Sequence, residues 1–456
     1  MPSSFFGIDI ASRALRSFEM ALNVTGHNLA NVNTEGYSRQ RITIEQTPSV
    51  TFYGLLPTTL GSGSWVHNVS RIRDAFLEGR FLQTNSEGSR LGQLQSSLVQ
   101  LENVFGEPGI DGIQSAMTSM FDAWHQLSVN PADEGSRLNV RMTASLFISR
   151  VRDAHNQMVG NVVRLEGEAT DTIRNINQLA DEIVELNTEI RQQAASGAQP
   201  NDLMDQRDLL LRRLSELVDI RTQVMPDQTI SVFIHQHTLV NPIEAKPLPL
   251  TFDAATSTLT DGSKSILIRG GRLAGIFGSI NANNMYSSRL DQLVDDVRTQ
   301  VNTIHAGGTN LNGSTGIDFF AGSAGAGDLD LDPAVLADIR NIAAGASGES
   351  GDGGLAQAIS ALRDLPSPAL GGRSVLSYYA DMISTLGQDA KSAGNSVETQ
   401  AAVLTQLETQ QQAISGVNID EEMATMMRYQ RSFQAAAKLL SVLDQTTEEL
   451  IKSFGR

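Results

Sequence analysis

The sequence predicts a mainly α protein: an elongated bundle of long antiparallel helices, with terminal coiled-coil helices and a small β insert. Three observations predict it. Both ends of the chain carry heptad-spaced apolar residues, and the stretch from about 69 to 220 repeats at three-four spacing with short turns. Between 221 and 268 the pattern switches to alternation with Pro and Asp-Gly punctuation. Aromatic residues are only 5 % of the 456, which suits helix-on-helix packing better than a β-sandwich core.

At the N-terminus, Ile8, Ala11, Leu15, Phe18, Leu22, Thr25 and Leu29 fall at alternating spacings of three and four. Ser3 and Ser4 offer an N-cap, and Gly36 supplies a left-handed stop after Asn31 and Asn33. "SRQRITIEQT" then alternates as a short strand, with Ile42 and Ile44 on one face and Arg39 with Arg41 solvated on the other. "PSVTFYGLLPTTLGSGSW" reads as an extended connector.

Leu91, Leu94, Leu98, Leu101 and Phe105 make one helical stripe, and Met117, Met120, Trp124 and Leu127 make a second after "GEPGIDG". "NPADEGSR" is a helix–helix turn in which Asp133 is placed to cap the next helix. That long segment, 135–195, carries Ile173, Ile176, Ala180, Ile183, Asn187 and Ile190 on one face before "SGAQPND" turns the chain into 202–219. The β insert follows, closed by Gly270 and Gly271; helix resumes at about 285, a Gly/Ala/Ser-rich loop region spans 306–355, and the last hundred residues are helical.

The C-terminal helix begins after Gly416, with Asn418 and Glu421 spaced as a capping box. Asp420, Glu421 and Glu422 complement the positive end of its dipole. Ile419, Met423, Met426, Phe433, Ala437, Leu440, Ile451 and Phe454 continue the heptads, broadened by Leu443 and Leu450. Burying one Leu or Phe contributes about 1.5–3 kcal/mol, so two such helices at the chain's extremes call for each other, a neighbouring subunit or a chaperone. The expected organisation is therefore 1–36 paired with 415–456, a bundle of 37–220 plus 269–414, and a β insert at 221–268.

Composition excludes several function classes. A net charge of −17 with no basic stripe argues against nucleic-acid or anionic-membrane surfaces. The absence of cysteine removes disulfides, thiolate zinc sites and cysteine nucleophiles. Asp9 and Arg13 interrupt the N-terminal apolar run, so it does not read as a cleaved signal peptide, and no stretch reaches eighteen apolar residues. Phosphate-loop, HExxH and GxSxG patterns are missing. His235 and His237 fall on one face of a predicted strand without a third ligand, "DLDLD" (328–332) has Pro333 where a calcium loop needs glycine, and "GRLAGIFGS" lacks a dinucleotide-binding context. No enzyme and no cofactor is expected.

"ALNVTGHNLANVNTEGYSRQ" resembles the N-terminal signature of the flagellar axial proteins, the rod, hook and hook-associated family. The resemblance rests on Asn28, Ala30, Asn31, Thr34, Gly36 and Tyr37, and Ser38, Arg39 and Gln40 narrow it to the hook-associated branch. "GSGSWVHNVSRIRDAFLEGRF", "GTNLNGSTGIDFFAG" and "SGVNIDEEMATMMRYQRSFQAAAKLLSVLDQTTEELI" agree with that family. It implies a secreted, extracellular structural component of the bacterial flagellum, exported unfolded by the flagellar type III apparatus. Its terminal helices form the inner layer of a helical tube, as a homo-oligomeric ring that joins hook to filament and templates filament assembly. Implied partners are the hook protein, the second hook–filament junction protein and a cytoplasmic export chaperone on the C-terminal helix. The N-terminal assembly face would be Ile8, Leu15, Phe18, Leu22 and Leu29. The C-terminal one, shared with the chaperone, would be Ile419, Met423, Met426, Phe433, Ala437, Leu440, Leu450, Ile451 and Phe454. Competing readings are a hook, rod or flagellin-like protein, and a surface-binding role for the β insert.

Overall fold

A computed structural model describes residues 4–52, 58–107, 109, 112–243, 249–253, 256, 258–262, 264–347, 349 and 351–454; Ser3 lies outside them, as do the side chains of Ser4 and Phe454. The chain opens with α1 (Ser4–Ala30), β1 (Gln40–Gln46), β2 (Val50–Phe52), β3 (Thr58–Leu60) and β4 (Ser64–Arg71). Helices α2 (Ala75–Phe105), α3 (Ile113–Val129), α4 (Glu134–Ala195) and α5 (Asn201–Leu217) follow. Then come β5 (Arg221–Val224), β6 (Ile230–Ile234), β7 (His237–Val240), β8 (Thr251–Asp253), β9 (Thr258–Thr260) and β10 (Ser265–Ile266). After α6 (Gly271–Ala306) are β11 (Phe320–Ala321), β12 (Asp330–Leu331), α7 (Pro333–Ala337) and α8 (Gly354–Ala361). Two long helices, α9 (Val375–Ser415) and α10 (Ile419–Phe454), end the described chain.

These elements fold into two compact units, one of residues 1–86, 175–249 and 401–456, the other of 87–174 and 250–400. The cuts differ from the expected ones because α2, α4 and α9 are each long enough to serve both units. The expected β insert is also divided. Strands β5–β6–β7 form an antiparallel sheet in the first unit, and β8, β9 and β10 form a separate one in the second. The first sheet is built onto helices: the amide of Asn187 on α4 pairs with both backbone groups of Ile230, at 3.0 and 2.9 Å, and Arg207 on α5 donates to Gln228 O at 2.7 Å.

In the second unit the two predicted stripes meet. Leu98, Leu101 and Phe105 of α2 and Met117, Met120, Phe121 and Trp124 of α3 share one core with Val140, Phe147 and Val151 of α4 and Tyr286 and Leu290 of α6. Helix α6 starts at Gly271, earlier than the expected 285. Gly275 explains why: an added Cβ would lie 2.6 Å from Arg90 O, so glycine lets the start of α6 lie directly on α2. The 306–355 region is also more ordered than its composition suggests. Phe319 and Phe320 are buried in the core, Phe319 edge-on to Trp124 at 5.0 Å, and the turns around them are tied by aspartates. Asp332 caps α7, and Asp328 accepts the amides of Ser323 and Ala324, so the "DLDLD" carboxylates serve backbone turns. Asp133 accepts the Ser136 amide at 2.7 Å at the start of α4.

In the first unit α1 and α10 pack antiparallel, with Gly7 against Leu443 at one end and Asn28 against Glu422 at the other. The deepest positions of α1 are Ala11, Ser17, Ala21, Thr25 and Asn28, all at most 3 % exposed. Small side chains fill the seam, and the larger Ile8, Leu15, Phe18, Leu22 and Leu29 flank it, half-buried. On α10 Glu422 and Ala436 are buried and Met426, Phe433, Ala437, Leu440 and Leu443 half-buried, whereas Ile419, Met423, Leu450 and Ile451 are exposed. Within "PSVTFYGLLPTTLGSGSW", expected to be an extended connector, β2 and β3 pair antiparallel, Val50 opposite Leu60. Ser4 is the first residue of α1, and the expected cap by its side chain lies outside the described residues.

Ala21→Leu adds three carbons to a fully buried position of α1. It is expected to lower unfolding free energy by about 1–3 kcal/mol, read from denaturant midpoints, and to speed proteolytic cutting within α1. An unchanged midpoint would mean that the seam is loosely packed.

Candidate functional site: the polar knot at the end of α1

The signature stretch folds into the joint that ties α1 to β1, α5 and α10. Helix α1 ends when the Asn31 amide and side chain both turn back onto His27 O, at 3.1 and 3.0 Å. Thr34 then donates to Asn31 through its amide and its hydroxyl. Gly36 takes φ +79°, which an L side chain adopts only under strain, and its Cα faces Leu209 of α5. Ala30 is exposed at the last helical position.

Asn28, 2 % exposed, is the centre of the joint. Its Oδ1 accepts Gln40 N at 2.9 Å and the Tyr37 hydroxyl at 2.8 Å. Its Nδ2 donates to Gln40 O at 2.9 Å and to Glu422 Oε2 at 3.1 Å. One side-chain amide thus replaces a missing strand for Gln40 and reaches α10, almost 400 residues away in sequence. Asparagine is suited to this because it carries an acceptor and a two-proton donor on one rigid plane.

Arg39 holds the other side of Glu422, Nε to Oε1 at 2.7 Å, and its Nη1 reaches Glu421 Oε2 at 3.1 Å. Its amide donates to Ser415 O at 2.9 Å, at the end of α9. Arg39, expected to be solvated, is instead the counter-ion of a carboxylate only 3 % exposed. The capping box is consequently half-formed in the described bonds. Asn418 Oδ1 accepts the amides of Asp420 and Glu421, while the Glu421 carboxylate pairs with Arg39.

Beneath lies a network that sequence reasoning missed. Asp205 on α5 accepts Ser38 N at 3.0 Å and Arg71 Nη1 at 2.8 Å; Asp208 accepts Arg71 at 2.7 Å and Arg73. Asp202 accepts the Gln40 side chain at 2.9 Å. Glu78 takes a two-point contact from Arg212, both bonds 3.0 Å, and a third bond from Arg73 at 2.7 Å. Gln411 of α9 donates to the same carboxylate at 3.1 Å. The available signal was three aspartates at three-residue spacing, on one helical face, opposite two arginines two apart on a strand end.

This density of charge shifts the groups inside it. Burial, then Asp202, Asp205 and Glu422, pushes the Tyr37 phenol up, so it stays a neutral donor. Arg207, buried beside Arg71 and Arg73, is lowered to about 10. Burial raises the Glu78 carboxyl, but the hydrogen bond and charge of Arg212 and the charge of Arg73 outweigh it and hold the group below its usual value. Between the 31–39 turn and the α9–α10 elbow runs a cleft of about 850 Å³, lined by Glu35, Tyr37, Arg39, Arg212, Glu408 and Glu421 among others.

His235 and His237 do not share a strand face. His235 sits in the β6–β7 turn at φ +51° and His237 begins β7, so alternation misread a hairpin as one strand. Among the described residues there is no group of three or more His, Asp or Glu side chains placed to hold a metal ion.

The two helices joined by the knot match two family models of flagellar axial proteins: "Flagella basal body rod protein" over residues 8–37 and "Flagellar basal body rod FlgEFG protein C-terminal" over 410–453. The helical middle, 98–320, matches "Flagellar hook-associated protein FlgK helical domain". All three matches are to models of flagellar axial proteins. More particularly, the chain is a relative of flagellar hook-associated protein 1. It is 27 % identical to that protein of Bacillus subtilis, covering 100 % of this chain and 99 % of the relative. It is 24 % identical to that of Escherichia coli, covering 97 % and 99 %. The latter alignment runs over 551 positions, so the relative carries residues that this chain lacks. The solved structure of the flagellar hook junction protein FlgK from Burkholderia pseudomallei shares the fold, with a TM-score of 0.65 at 17 % identity, over 74 % of this chain and 100 % of that one.

Asn28→Ala strips Gln40 of both partners and Glu422 of one. With about 1–3 kcal/mol for a buried group left unsatisfied, a loss of at least about 2 kcal/mol is expected in denaturant unfolding. A loss under about 0.5 kcal/mol, on the order of a surface change, would contradict the geometry. Because the folded Glu78 carboxyl is held low, its contribution is present above its unfolded value of 4.5 and is lost as pH falls through the folded one. Glu78→Gln is therefore expected to remove part of the acid-side slope of stability below about pH 4.5. A slope identical to the parent's would contradict this.

Proposed function

We propose that this chain is a non-enzymatic structural subunit at the flagellar hook–filament junction, where copies form a ring on which the filament is built. The observation that carries the reading is the α1–α10 pair locked by Asn28, Gln40, Arg39 and Glu422, in a chain that aligns end to end with hook-associated protein 1. In this reading residues 1–36 with 415–456 are the assembly part, and the rest is the body they carry.

The faces left over by the helix pair support it. Ile8, Leu15, Phe18, Leu22 and Leu29 are half-buried within one chain. Ile419, Met423, Leu450 and Ile451 are exposed, Ile451 at 65 %. Leu450 and Ile451 lie beyond the point where Gly7 meets Leu443, past the described start of α1. Each such side chain gains about 1.5–3 kcal/mol when fully covered by a neighbouring copy. The same exposed row on α10 supports a cytoplasmic chaperone that covers it before export through the flagellar type III apparatus, after which the chain is extracellular. Hook protein on one side and the second junction protein on the other complete the set of partners. No described helix is long and apolar enough to cross a membrane.

The double variant Met423→Glu and Ile451→Glu changes two exposed positions and leaves the seam intact. In cells lacking the native protein it is expected to accumulate with parental helix content. It should support roughly tenfold fewer attached filaments, counted by microscopy, with filament subunits shed into the medium, since about 1.4 kcal/mol of lost contact already costs a factor of ten. Parental numbers of attached filaments would refute the assembly role of this face.

A further inference from the structure

We propose that the Ile342–Ala343 peptide in the second unit is an acid-labile latch: neutral His305 holds it closed, and protonation of that imidazole frees segment 342–345 together with the start of α8. The latch lies wholly within the second unit and depends on one proton rather than on any partner.

His305, in the last turn of α6, is 1 % exposed, and both of its ring nitrogens are engaged by backbone. Its Nε2 accepts the Ala343 amide at 2.9 Å. The ring proton therefore sits on Nδ1, which donates to Ile317 O at 2.7 Å. Across the same peptide, Arg137 of α4 donates through Nη1 to Ile342 O. One peptide group is thus gripped on its oxygen from α4 and on its N–H from α6.

The segment behind that grip carries other elements. Ala344 O accepts the amides of Leu355 and Ala356, both at 3.0 Å, at the start of α8, and Gly345 O accepts Thr309 N at 3.0 Å. Gly308 closes against it, since an added Cβ there would lie 2.7 Å from Ala343 Cβ and 2.5 Å from a Leu355 methyl. Ile342, Ala343 and Ala344 are buried, and Ala356 and Ile359 of α8 share their core with Trp124. Releasing one peptide therefore loosens a turn, a strand-like bridge and a helix start together.

Protonation undoes this arrangement. A charged imidazole carries N–H on both nitrogens, so Nε2 would meet the Ala343 N–H donor against donor, and that amide would lose its acceptor in a dry site. The new charge would also stand across one peptide from Arg137, itself 2 % exposed. Arg137 bonds the carbonyls of Ile342 and Pro131, leaves Nε unbonded and, among the described residues, has no carboxylate partner. Burial, the largest influence, and Arg137 hold the imidazole below its ordinary value of 6.5; the Ile317 carbonyl, Asp318 and Asp332 act the other way without offsetting them. Helix α3 presents Trp124 to the ring and keeps Asp122 and His125 exposed, and α8 has no charged residue. Once the segment opens, His305 returns to its ordinary value. The closed form is therefore fully favoured above pH 6.5, and it loses roughly tenfold against the open form per pH unit below, until the lowered value is passed.

Hydrogen exchange in the full chain reads the latch. After correction for the intrinsic effect of pH, the amides of Ala343, Leu355 and Ala356 are expected to exchange at least roughly tenfold faster at about pH 5 than at about pH 7.5. Amides of α4 between Val140 and Val151, in the same core, are expected to keep their protection. Equal protection of the three amides at both pH values, or a parallel loss along α4, overturns the proposal. His305→Gln offers the Ala343 amide an acceptor that does not titrate in this range, and it is expected to remove the difference; a difference that survives it overturns the proposal as well. Trp124 gives a reading that does not need that variant to fold. The chain has two tryptophans, so Trp65→Phe leaves Trp124 alone, fully buried and edge-on to the His305 ring at 6.1 Å. An imidazolium at that distance accepts an electron from the excited indole, so Trp124 emission is expected to fall reversibly below pH 6.5 with far-UV dichroism unchanged. Constant emission down to the onset of acid unfolding contradicts protonation at His305.

Discussion

Everything in the first unit depends on how one buried carboxylate is neutralised. Glu422 lies at the start of α10, where the helix dipole favours it, but it is almost fully removed from water. Leaving such a charge without partners costs about 3–5 kcal/mol. Arg39 and Asn28 supply those partners, Asn28 from the last turn of α1 and Arg39 from the segment just after it. The two termini of the chain can therefore pair in only one register, because any slide along the seam would take Glu422 away from both. Small residues at the seam set the distance, and the knot sets the position.

The consequence for assembly follows from size. Because alanine, serine and threonine fill the α1 seam, the larger apolar side chains are displaced to its flanks, where one chain covers them only in part. A helix pair with large residues inside would be self-sufficient. This one keeps its inner contacts slim and leaves larger apolar side chains partly exposed, the faces that the proposed assembly would cover. The charged layer of Arg71, Arg73, Glu78, Asp205, Asp208 and Arg212 joins the pair to α2, α5 and α9 through side chains that all lose freedom together. A network of this kind favours one geometry over alternatives and contributes modestly to stability.

Much of this was legible in the sequence, and the exceptions have physical causes. Three-four spacing located α1, α4 and α10, and the buried row Ile173, Ile176, Ala180, Ile183, Asn187 and Ile190 on α4 follows it closely. Periodicity included Ala11 and Thr25 in the α1 row but passed over the equally buried Ser17, Ala21 and Asn28, because small or polar residues carry a weaker apolar signal than Leu15 and Leu22. Alternation through 229–240 hid the turn at His235, because a hairpin of two short strands keeps a period of two on both sides of its bend. Glycines misled twice: Gly275 marks close packing of α6, and the 306–355 segment folds around Phe319 and Phe320 with aspartates tying its turns. Ion pairs such as Arg71 with Asp205, 134 residues apart, leave no local signature beyond the spacing of each charge on its own element.

A double-mutant cycle between Asn28 and Glu422 tests the knot most directly, with Asn28→Ala, Glu422→Gln and the pair measured by denaturant unfolding. Residues that share a buried hydrogen-bonded network couple by about 0.5–3 kcal/mol. A coupling of about 1 kcal/mol or more, on the order expected for a charge-assisted bond, is the predicted result. Strict additivity of the two single changes, within about 0.3 kcal/mol, would show that the ends of the chain are held together by something other than this joint.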